Sequence, residues 1–570
     1  MAKQRFATVD FLRGLAIWLM LFIHVLMRWV DREDIANNMS DYSLFVIIFM
    51  LAALFLGGWP GFFLLQNAIG NMISMHKNFQ RTQKVRQIIF KQIIGGSILL
   101  FFAVLCEALI GYKGAIGNWA SGNPMWDQIF WRGFHTETIH TVGWCVIYNA
   151  LIHWILSIKE GFRKVKRNII IYFVLAIIVV AITPLVYFLA ELAVPGYPYA
   201  TYEFVHIVFG KYRVMEIPIQ YGFLGYTPFW KLVYLWFLAP LAGQVEPIFP
   251  YLAVSFIGSA IGLFLVKNQQ ESSEIPTKIP STRPLTWGMV IGFIMFLIGA
   301  MGTIGFAIFD INGAFEAIMS YTYDIRYMYA SGVWLFWFLL VVGAQIGATC
   351  LIIRLVEFRA KAKPFGRKTL HFRRFGFVPF SLYCFEYVDV TMVLLLSLIP
   401  TFPEAIVQNT WGVYHIWPLI ILVFVQYELI LQIWQRVHFV GSLEWMIAKI
   451  AEFVIPLKRK QKDITLPWWR SSKIDVKSAL LGPEWINIVT ESQMKIHHEK
   501  LVDSKLAARL SWVGLLVSPI APVTLAISRT SRKTEGKNRY NQRAMIISII
   551  SILFATVVFF GSMFIYGVSF

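Results

Sequence analysis

An arginine and a histidine stand eleven residues apart on the first apolar stretch of the chain. The stretch from Phe11 to Val30 has the length and hydrophobicity of a membrane-spanning helix, yet it carries Arg13 near its start and His24 well inside. This spacing is about three helical turns, so both side chains lie on one face, roughly 16 Å apart. An ionisable residue inside a membrane span is a candidate functional residue. A phosphate-bearing ligand at Arg13 could extend to His24, and histidine can accept and return a proton near neutral pH.

Each residue of this pair also has a plainer explanation. Arg13 could be an anchor whose side chain extends to the membrane surface, and His24 could be a core histidine bonded to a carbonyl. Asp10 stands three residues before Arg13, close enough on a helix to pair with it. The shared face favours a joint role for Arg13 and His24 over two separate ones.

Polar residues in later apolar stretches could complete a site. Glu386 and Asp389 are three residues apart, where they could orient a histidine, share a proton, or brace each other against an arginine. His140 opens another apolar stretch and could polarise an acceptor hydroxyl, or be an ordinary histidine at the membrane surface. Further polar residues within the apolar runs are Glu107, Asn149, His153 and Glu428.

The composition indicates that membrane helices position these residues. Of the 570 residues, 57% are hydrophobic and 15% are charged, which is more apolar surface than a soluble core needs. Backbone groups in hydrocarbon must be hydrogen-bonded internally, and the apolar runs are too long for barrel strands. The sequence therefore predicts an all-α, polytopic helical membrane protein with about 10–12 transmembrane helices and re-entrant or interfacial segments.

Apolar runs mark the order of the helices. Two long runs, 43–75 and 228–266, are interrupted by glycine and proline, which makes them candidate walls of a site. The predicted division is a membrane domain over 1–434, a cytoplasmic interfacial segment over 435–506 and a C-terminal membrane hairpin over 507–570. The continuous runs are 11–30, 92–112, 138–157, 168–192, 285–309, 332–353, 376–400 and 416–434.

The positive charge follows the pattern of membrane topology. The formal net charge is +19 at pH 7, and lysines and arginines crowd into connections near 77–91, 163–167 and 354–374. Alternating connections hold few of them, which places the basic loops and the N-terminus in the cytoplasm of a cell-membrane protein. This distribution argues against a nucleic-acid partner. A smaller role of the basic loops in holding an anionic ligand or lipid headgroups stays open.

The cysteines give no sign of a metal site. Cys106, Cys145, Cys350 and Cys384 all fall inside apolar segments, without CxxC spacing. We interpret them as small buried hydrophobic residues and expect no metal.

An ordered set of short motifs runs from the first helix to about residue 455. It begins with Arg13-Gly14 and His24, and it ends with Gly441-Ser-Leu-Glu444-Trp445. The set resembles the transmembrane acyltransferases, which comprise the heparan-alpha-glucosaminide N-acetyltransferase-like family and the related membrane acyltransferase-3 proteins. The motifs between are Trp59-Pro-Gly61-Phe-Phe, Thr138-Ile-His140-Thr-Val-Gly143-Trp, Pro247-Ile-Phe-Pro250-Tyr-Leu and Phe375-Gly376.

The resemblance implies acyl transfer from a CoA thioester, with acetyl-CoA as donor and a carbohydrate or lipid-linked sugar as acceptor. The donor's phosphates would meet basic side chains, and the thioester would lie along the first helix toward His24. His24 would act as a general base on the acceptor or, alternatively, as an acylated nucleophile. A homodimer in the lipid bilayer is compatible with this reading. In this hypothesis the candidate catalytic residues are His24, His140 and Glu386, and the candidate donor-binding residues are Arg13 and the nearby basic residues Lys84 and Arg86.

Two other functions stay open from the sequence. A transporter or flippase for a lipid-linked or small anionic solute would use Glu386, Asp389 and Glu428 as proton-relay groups. A degenerate family member could serve as a scaffold. Protection by CoA against thermal unfolding would favour the enzyme, whereas flux without an acyl donor would favour transport; a scaffold predicts neither behaviour.

Overall fold

The described chain is built almost entirely of helices. A computed structural model describes residues 4–31, 34–35, 38, 42–57, 59–82, 85–111, 114–120, 138–193, 240–242, 247–274, 280–309, 334–399, 410–454, 476–516 and 520–565. Within these ranges, eight helices are long and apolar enough to cross a membrane. The prediction of an all-α, multi-pass membrane protein is confirmed. The eight are Ala7–Trp29, Val85–Ile110, Thr138–Arg163, Val165–Leu189, Ile248–Glu271, Arg283–Thr303, Trp334–Arg359 and Ile416–Arg436.

The helices before residue 280 include the first candidate site residues. A π-helix, Cys106–Ile110, extends the fourth of them, and a 3-10 turn, Ile158–Arg163, joins the sixth to the seventh. Proline at the first position of the third agrees with the fixed φ that a helix start accepts. These helices are α1 (Ala7–Trp29), α2 (Leu44–Gly57), α3 (Pro60–Thr82), α4 (Val85–Leu105), α5 (Ala115–Ala120), α6 (Thr138–Ser157), α7 (Val165–Ala193) and α8 (Ile248–Glu274).

The later helices include several short ones between residues 362 and 384, where the chain packs against α1. A 3-10 turn, Glu357–Arg359, ends the tenth helix. Two short strands, β1 (Gln4–Arg5) and β2 (Glu484–Trp485), pair in parallel. The helices are α9 (Arg283–Phe309), α10 (Trp334–Val356), α11 (Ala362–Lys368), α12 (Leu370–Phe375), α13 (Pro379–Cys384), α14 (Val388–Ser397), α15 (Ile416–Arg436), α16 (Leu443–Val454), α17 (Glu491–Glu499), α18 (Val502–Leu516), α19 (Ile520–Thr534) and α20 (Arg539–Ile565).

The start of α1, the end of α3 and the turn between α6 and α7 lie at one end of the bundle, here called the basic end. The Lys77 ammonium of α3 lies 5.1 Å from the ring centre of Phe6, which precedes α1. Phe162 of the turn packs against Phe79 of α3, with ring centres 5.8 Å apart. The basic connections near 77–91 and 163–167 thus lie together, as a common side of the membrane requires.

The opposite end, here called the far end, joins α1 to the segment before α15. Trp411 donates its N–H to the Trp29 carbonyl and accepts from the Asp31 N–H, both at 2.9 Å. His24 therefore lies in the part of α1 nearer the far end, and Arg13 in the part nearer the basic end.

The apolar run 376–400 is predicted as one helix, and this prediction is wrong. The chain forms α13 and α14, separated by a turn at 385–387. The turn is stabilised because the Tyr427 hydroxyl donates to the Glu386 carbonyl at 3.0 Å, which satisfies a group that a continuous helix would bond internally. Irregular backbone between apolar helices is tolerated where protein surrounds it, and here it carries an acidic side chain toward α1.

Two glycines allow α1 to cross the end of α12 at backbone distance. A Cβ on Gly14 would overlap the carbonyl oxygen of Phe372, and one on Gly376 would lie 2.7 Å from the Gly14 nitrogen. Arg13 therefore lies immediately beside a crossing that only glycine permits.

The segment after α16 packs against the start of the chain. Residues 455–475 lie outside the described residues. Beyond them, β2 pairs with β1, and the Ile488 N–H donates to the Glu357 carbonyl at 2.9 Å. The predicted interfacial segment 435–506 thus contains α16, which packs against α4 and α13, then a π-helix (Lys477–Leu481), the strand β2, and α17, which packs against α18.

The C-terminal part contains three helices rather than the two of the predicted hairpin. Among the described residues, α18 ends at Leu516 and α19 begins at Ile520, with Pro522 in its first turn. The three helices α18, α19 and α20 pack together. A buried ion pair between Arg359 and Asp503 attaches them to the end of α10. Their small core contains Ala507, Leu510, Ile527 and Ala544.

Candidate functional site

The imidazole of His24 and the carboxylate of Glu386 meet inside the bundle. Nδ1 of His24 bonds to Oε2 of Glu386, which stands in the turn between α13 and α14. The Glu386 side chain is 7% exposed and that of His24 is 40% exposed, so the carboxylate is enclosed while part of the ring stays accessible. Nε2 of His24 makes no hydrogen bond within the described part of the chain. A ring nitrogen bonded to a carboxylate carries the proton, which leaves Nε2 as an acceptor.

Arg28 and Asp389 form a buried ion pair beside this dyad. Arg28 follows His24 by four residues on α1, so it lies one turn further along the same face. Its Nη1 bonds to Asp389, and its Nη2 lies 3.9 Å from Oε1 of Glu386. Nε1 of Trp29 donates to the other Asp389 oxygen at 2.8 Å. These contacts fix α1 against the start of α14 and keep Glu386 beside His24.

Besides His24, this cluster holds two carboxylates, Glu386 and Asp389, and one guanidinium, Arg28. A carboxylate hydrogen-bonded to an imidazole can stabilise an imidazolium that forms during a reaction. The arrangement suits a group that takes up a proton during a reaction.

Arg13 lies on the same helix face as His24, near the basic end. Its neighbour Asp10 accepts two hydrogen bonds at 2.6 Å from Arg5 instead, because the arginine fork matches both oxygens of a carboxylate. The Arg13 guanidinium lies within electrostatic range of Asp10 and Glu444. Its buried Nε has no hydrogen-bond partner among the described residues. An unsatisfied buried nitrogen is rare, so Arg13 is a candidate group for binding an anion.

Glu444 of α16 fixes the start of α13. It accepts hydrogen bonds from the Phe380 N–H and the Ser381 hydroxyl, both at 2.6 Å. Burial raises the pKa of the Glu444 carboxyl in spite of these bonds. The helix α13 thus begins at a carboxylate near Arg13 and ends two residues before Glu386. It connects the two ends of the predicted site.

The other two predicted donor-binding residues are Lys84 and Arg86. Lys84 lies outside the described residues, and Arg86 is exposed in the first turn of α4. Two cavities of about 400 Å³ and about 250 Å³ open at the basic end, and neither is lined by Arg13 or His24. A slot that joins Arg13 to His24 therefore stays a prediction.

His140 belongs to a different group of helices. It is buried in the first turn of α6, which packs against α3, α4 and α8. The dyad is shared between α1 and the turn after α13. The structure thus brings Glu386 to His24 but assigns His140 no place in that contact.

Glu428 bonds to an arginine and a histidine. It bonds to Arg374 and to Nδ1 of His371, the latter at 2.8 Å. This second histidine–glutamate pair lies between α12 and α15 and repeats the chemistry of the dyad in another setting. It provides a natural control for experiments on His24.

The interpretation of all four cysteines as small buried hydrophobic residues is wrong for two of them. Cys106 and Cys384 form a disulfide pair with Cα atoms 6.0 Å apart, and Cys145 and Cys350 are free and buried. The pair was missed because the two residues are 278 positions apart, which no local pattern can reveal. Within the described residues, no group of three or more His, Cys, Asp or Glu side chains is arranged so that it could hold a metal ion.

Arg28, Trp29 and Tyr427 complete the site but were not singled out from the sequence. A signal for Arg28 was present, since it stands four residues after His24 and therefore on the same helix face. Tyr427 gives no such signal, because its role depends on the helix break.

No protein-family model matches this chain, and no curated protein matches it. The resemblance to membrane acyltransferases therefore rests on the ordered motifs and stays a prediction.

Proposed function

We propose that the protein is an integral membrane acyltransferase. It moves an acyl group, acetyl as the simplest case, from a CoA thioester to a hydroxyl or amine of a sugar or lipid-linked acceptor. The observation that carries this proposal is the His24–Glu386 dyad, in which a buried carboxylate orients an imidazole whose second nitrogen is unbonded. This is the arrangement that general-base catalysis needs.

The chemistry follows from the dyad. Nε2 of His24 takes the proton of the acceptor hydroxyl or amine as that group attacks the thioester carbonyl. The new C–O or C–N bond forms, the C–S bond breaks, and the leaving thiolate takes the proton from the imidazolium. Glu386 holds the ring and stabilises the imidazolium, while Arg28, itself paired with Asp389, lies beside Glu386.

Arg13 supports a phosphate-bearing donor. Its buried Nε lacks a partner within the described residues, and a guanidinium binds phosphate well. The donor would enter from the basic end, which the positive-inside rule assigns to the cytoplasm. The proposed location is the cell membrane, with the N-terminus cytoplasmic.

Replacing His24 tests this function directly. In purified protein, His24→Ala should lower acetyl-CoA turnover by about 10²–10⁴-fold, the usual contribution of a general base. The matched control is His371→Ala, which removes the histidine of the other histidine–glutamate pair; its side chain is 38% exposed, close to the 40% of His24. Turnover that is unchanged in His24→Ala, or lost equally in both variants, would contradict the proposal.

A transporter is the second candidate, favoured by one observation. The break between α13 and α14 carries Glu386, and Asp389 follows in the first turn of α14; discontinuous helices form the substrate sites of many transporters. Solute flux in proteoliposomes without any acyl donor would support transport. Protection by CoA against thermal unfolding would support the enzyme.

A further inference from the structure

A cavity of about 250 Å³ opens at the basic end between α3, α7 and α8. It lies at the basic turn 163–167, which the acyltransferase proposal does not use. The first residue of α7 and the preceding arginine form part of its wall. The lining residues are His76, Gln80, Phe162, Arg163, Val165 and Gln270.

His76 is a buried histidine without hydrogen-bond partners. It is 1% exposed, and neither Nδ1 nor Nε2 has a partner among the described residues. A buried polar group normally finds a hydrogen-bond partner, because leaving one unpaired destabilises the folded protein. Because His76 lines the cavity, a ligand there can supply the missing partner.

Donors surround this cavity on its other sides. α7 begins at Val165, so the unbonded N–H groups and the positive end of its dipole lie at the cavity wall. Arg163 adds a guanidinium that is 59% exposed and lies 3.3 Å from Glu160. None of the residues that line the cavity is acidic. The combination of an imidazole, an arginine, amides and a helix N-terminus is suited to an anion.

A second layer of aromatic residues holds His76 in place. The ring of His153 lies 6.3 Å from that of His76 and stacks on Phe79 at 5.4 Å. The Tyr172 hydroxyl lies 3.3 Å from Nδ1 of His153. His153 and Tyr172 therefore act as positioning residues, and the cavity wall is preformed.

We propose that this cavity binds a phosphate group. The ligand is a phosphate monoester, carried either by a small soluble molecule or by a lipid headgroup at the membrane surface. The basic turn 163–167 thus builds a specific site in addition to setting the topology. This proposal does not depend on acyl transfer, because it concerns other side chains and a binding equilibrium.

Binding of inorganic phosphate to the purified full-length protein tests the soluble source. Calorimetry should show binding that Arg163→Gln weakens by about tenfold, since a guanidinium–phosphate contact is lost. The matched control is Lys166→Gln, which removes one exposed positive charge from the same turn without altering the cavity lining. Equal weakening by both variants would show general charge attraction and overturn the proposal.

Nanodiscs distinguish the lipid source. If inorganic phosphate does not bind, the wild type should retain phosphatidic acid in discs of phosphatidylcholine with phosphatidic acid, and Arg163→Gln should not. His76→Phe keeps the ring volume, removes both nitrogens and should weaken whichever ligand binds. If this variant fails to fold, Arg163→Gln decides alone because its side chain is exposed. Absence of both phosphate and phosphatidic acid binding overturns the proposal.

Discussion

At His24, one hydrogen bond determines the orientation of the ring and which of its two nitrogens is left as an acceptor. The bond from Nδ1 to Glu386 leaves Nε2 as the proton acceptor. Arg28 partly neutralises Glu386 but is itself bonded to Asp389, so the carboxylate keeps most of its charge for the imidazole. Small changes in this cluster should therefore affect catalysis more than binding.

Glu386→Gln should lower kcat on the order of 10²–10⁴-fold and leave the donor KM nearly unchanged. Glutamine keeps the size of the side chain but cannot stabilise an imidazolium by charge. Steady-state kinetics with acetyl-CoA as donor measures this split. The matched control Glu428→Gln alters the His371 pair and should leave kcat within about twofold. A change confined to KM would exclude an orienting role for Glu386.

The sequence indicated His24 on one helix and Glu386 with Asp389 on another, but it did not predict that His24 and Glu386 contact each other. The spacing of Glu386 and Asp389 indicated that they could orient a histidine or brace an arginine. In the structure, Glu386 bonds to His24 and Asp389 bonds to Arg28. Which helix supplies the histidine depends on contacts 362 residues apart, and helical periodicity carries no information on those. The break at 385–387 was hidden for the same reason, because the Tyr427 hydroxyl that satisfies it comes from another helix.

At the scale of elements, the path of α1 is determined by its glycine contact with α12. Gly14 and Gly376 bring the two backbones together, and this crossing sets the height of Arg13 relative to Glu444. The helix α13 begins at residues bonded to Glu444 and ends just before Glu386, so it connects the position of Arg13 with that of Glu386. An added methyl group at the crossing should therefore disturb both ends of the candidate site.

Gly14→Ala should destabilise the protein by about 1–3 kcal/mol, the usual cost of overpacking. The new Cβ would meet a backbone carbonyl of Phe372, which cannot rotate away as a side chain can. Thermal unfolding in detergent measures the effect. Gly95→Ala on α4 is the control, since nothing lies within 4 Å of its Cβ and alanine favours a helix. Equal stability of the two variants would show that the crossing relaxes easily.

At the scale of the whole molecule, the C-terminal helices are held by the buried pair Arg359–Asp503. The Asp503 side chain is fully buried and that of Arg359 is almost so. The end of α10 that carries Arg359 also contacts the start of α1, through hydrogen bonds from Thr8 to Glu357. The C-terminal unit is therefore linked to the helix that carries Arg13 and His24.

Asp503→Ala should cost about 3–5 kcal/mol, because it leaves the Arg359 guanidinium buried without its counter-charge. A lower thermal midpoint and faster limited proteolysis between α17 and α18 should report it. Lys505→Ala, an exposed neighbour on the same helix, should change stability by less than about 0.5 kcal/mol. A midpoint for Asp503→Ala equal to that of Lys505→Ala would mean that the pair contributes nothing to attachment.

The parallel pairing of β1 with β2 affects how the protein is made. Gln4 leaves the ribosome 480 residues before its hydrogen-bond partner Glu484. The first helix must therefore insert while β1 still lacks its partner strand, because β2 is synthesised only when the chain has reached residue 485. A chain cut after residue 434 would never supply that strand, so expression of the membrane helices alone should give a product that quality-control proteases degrade.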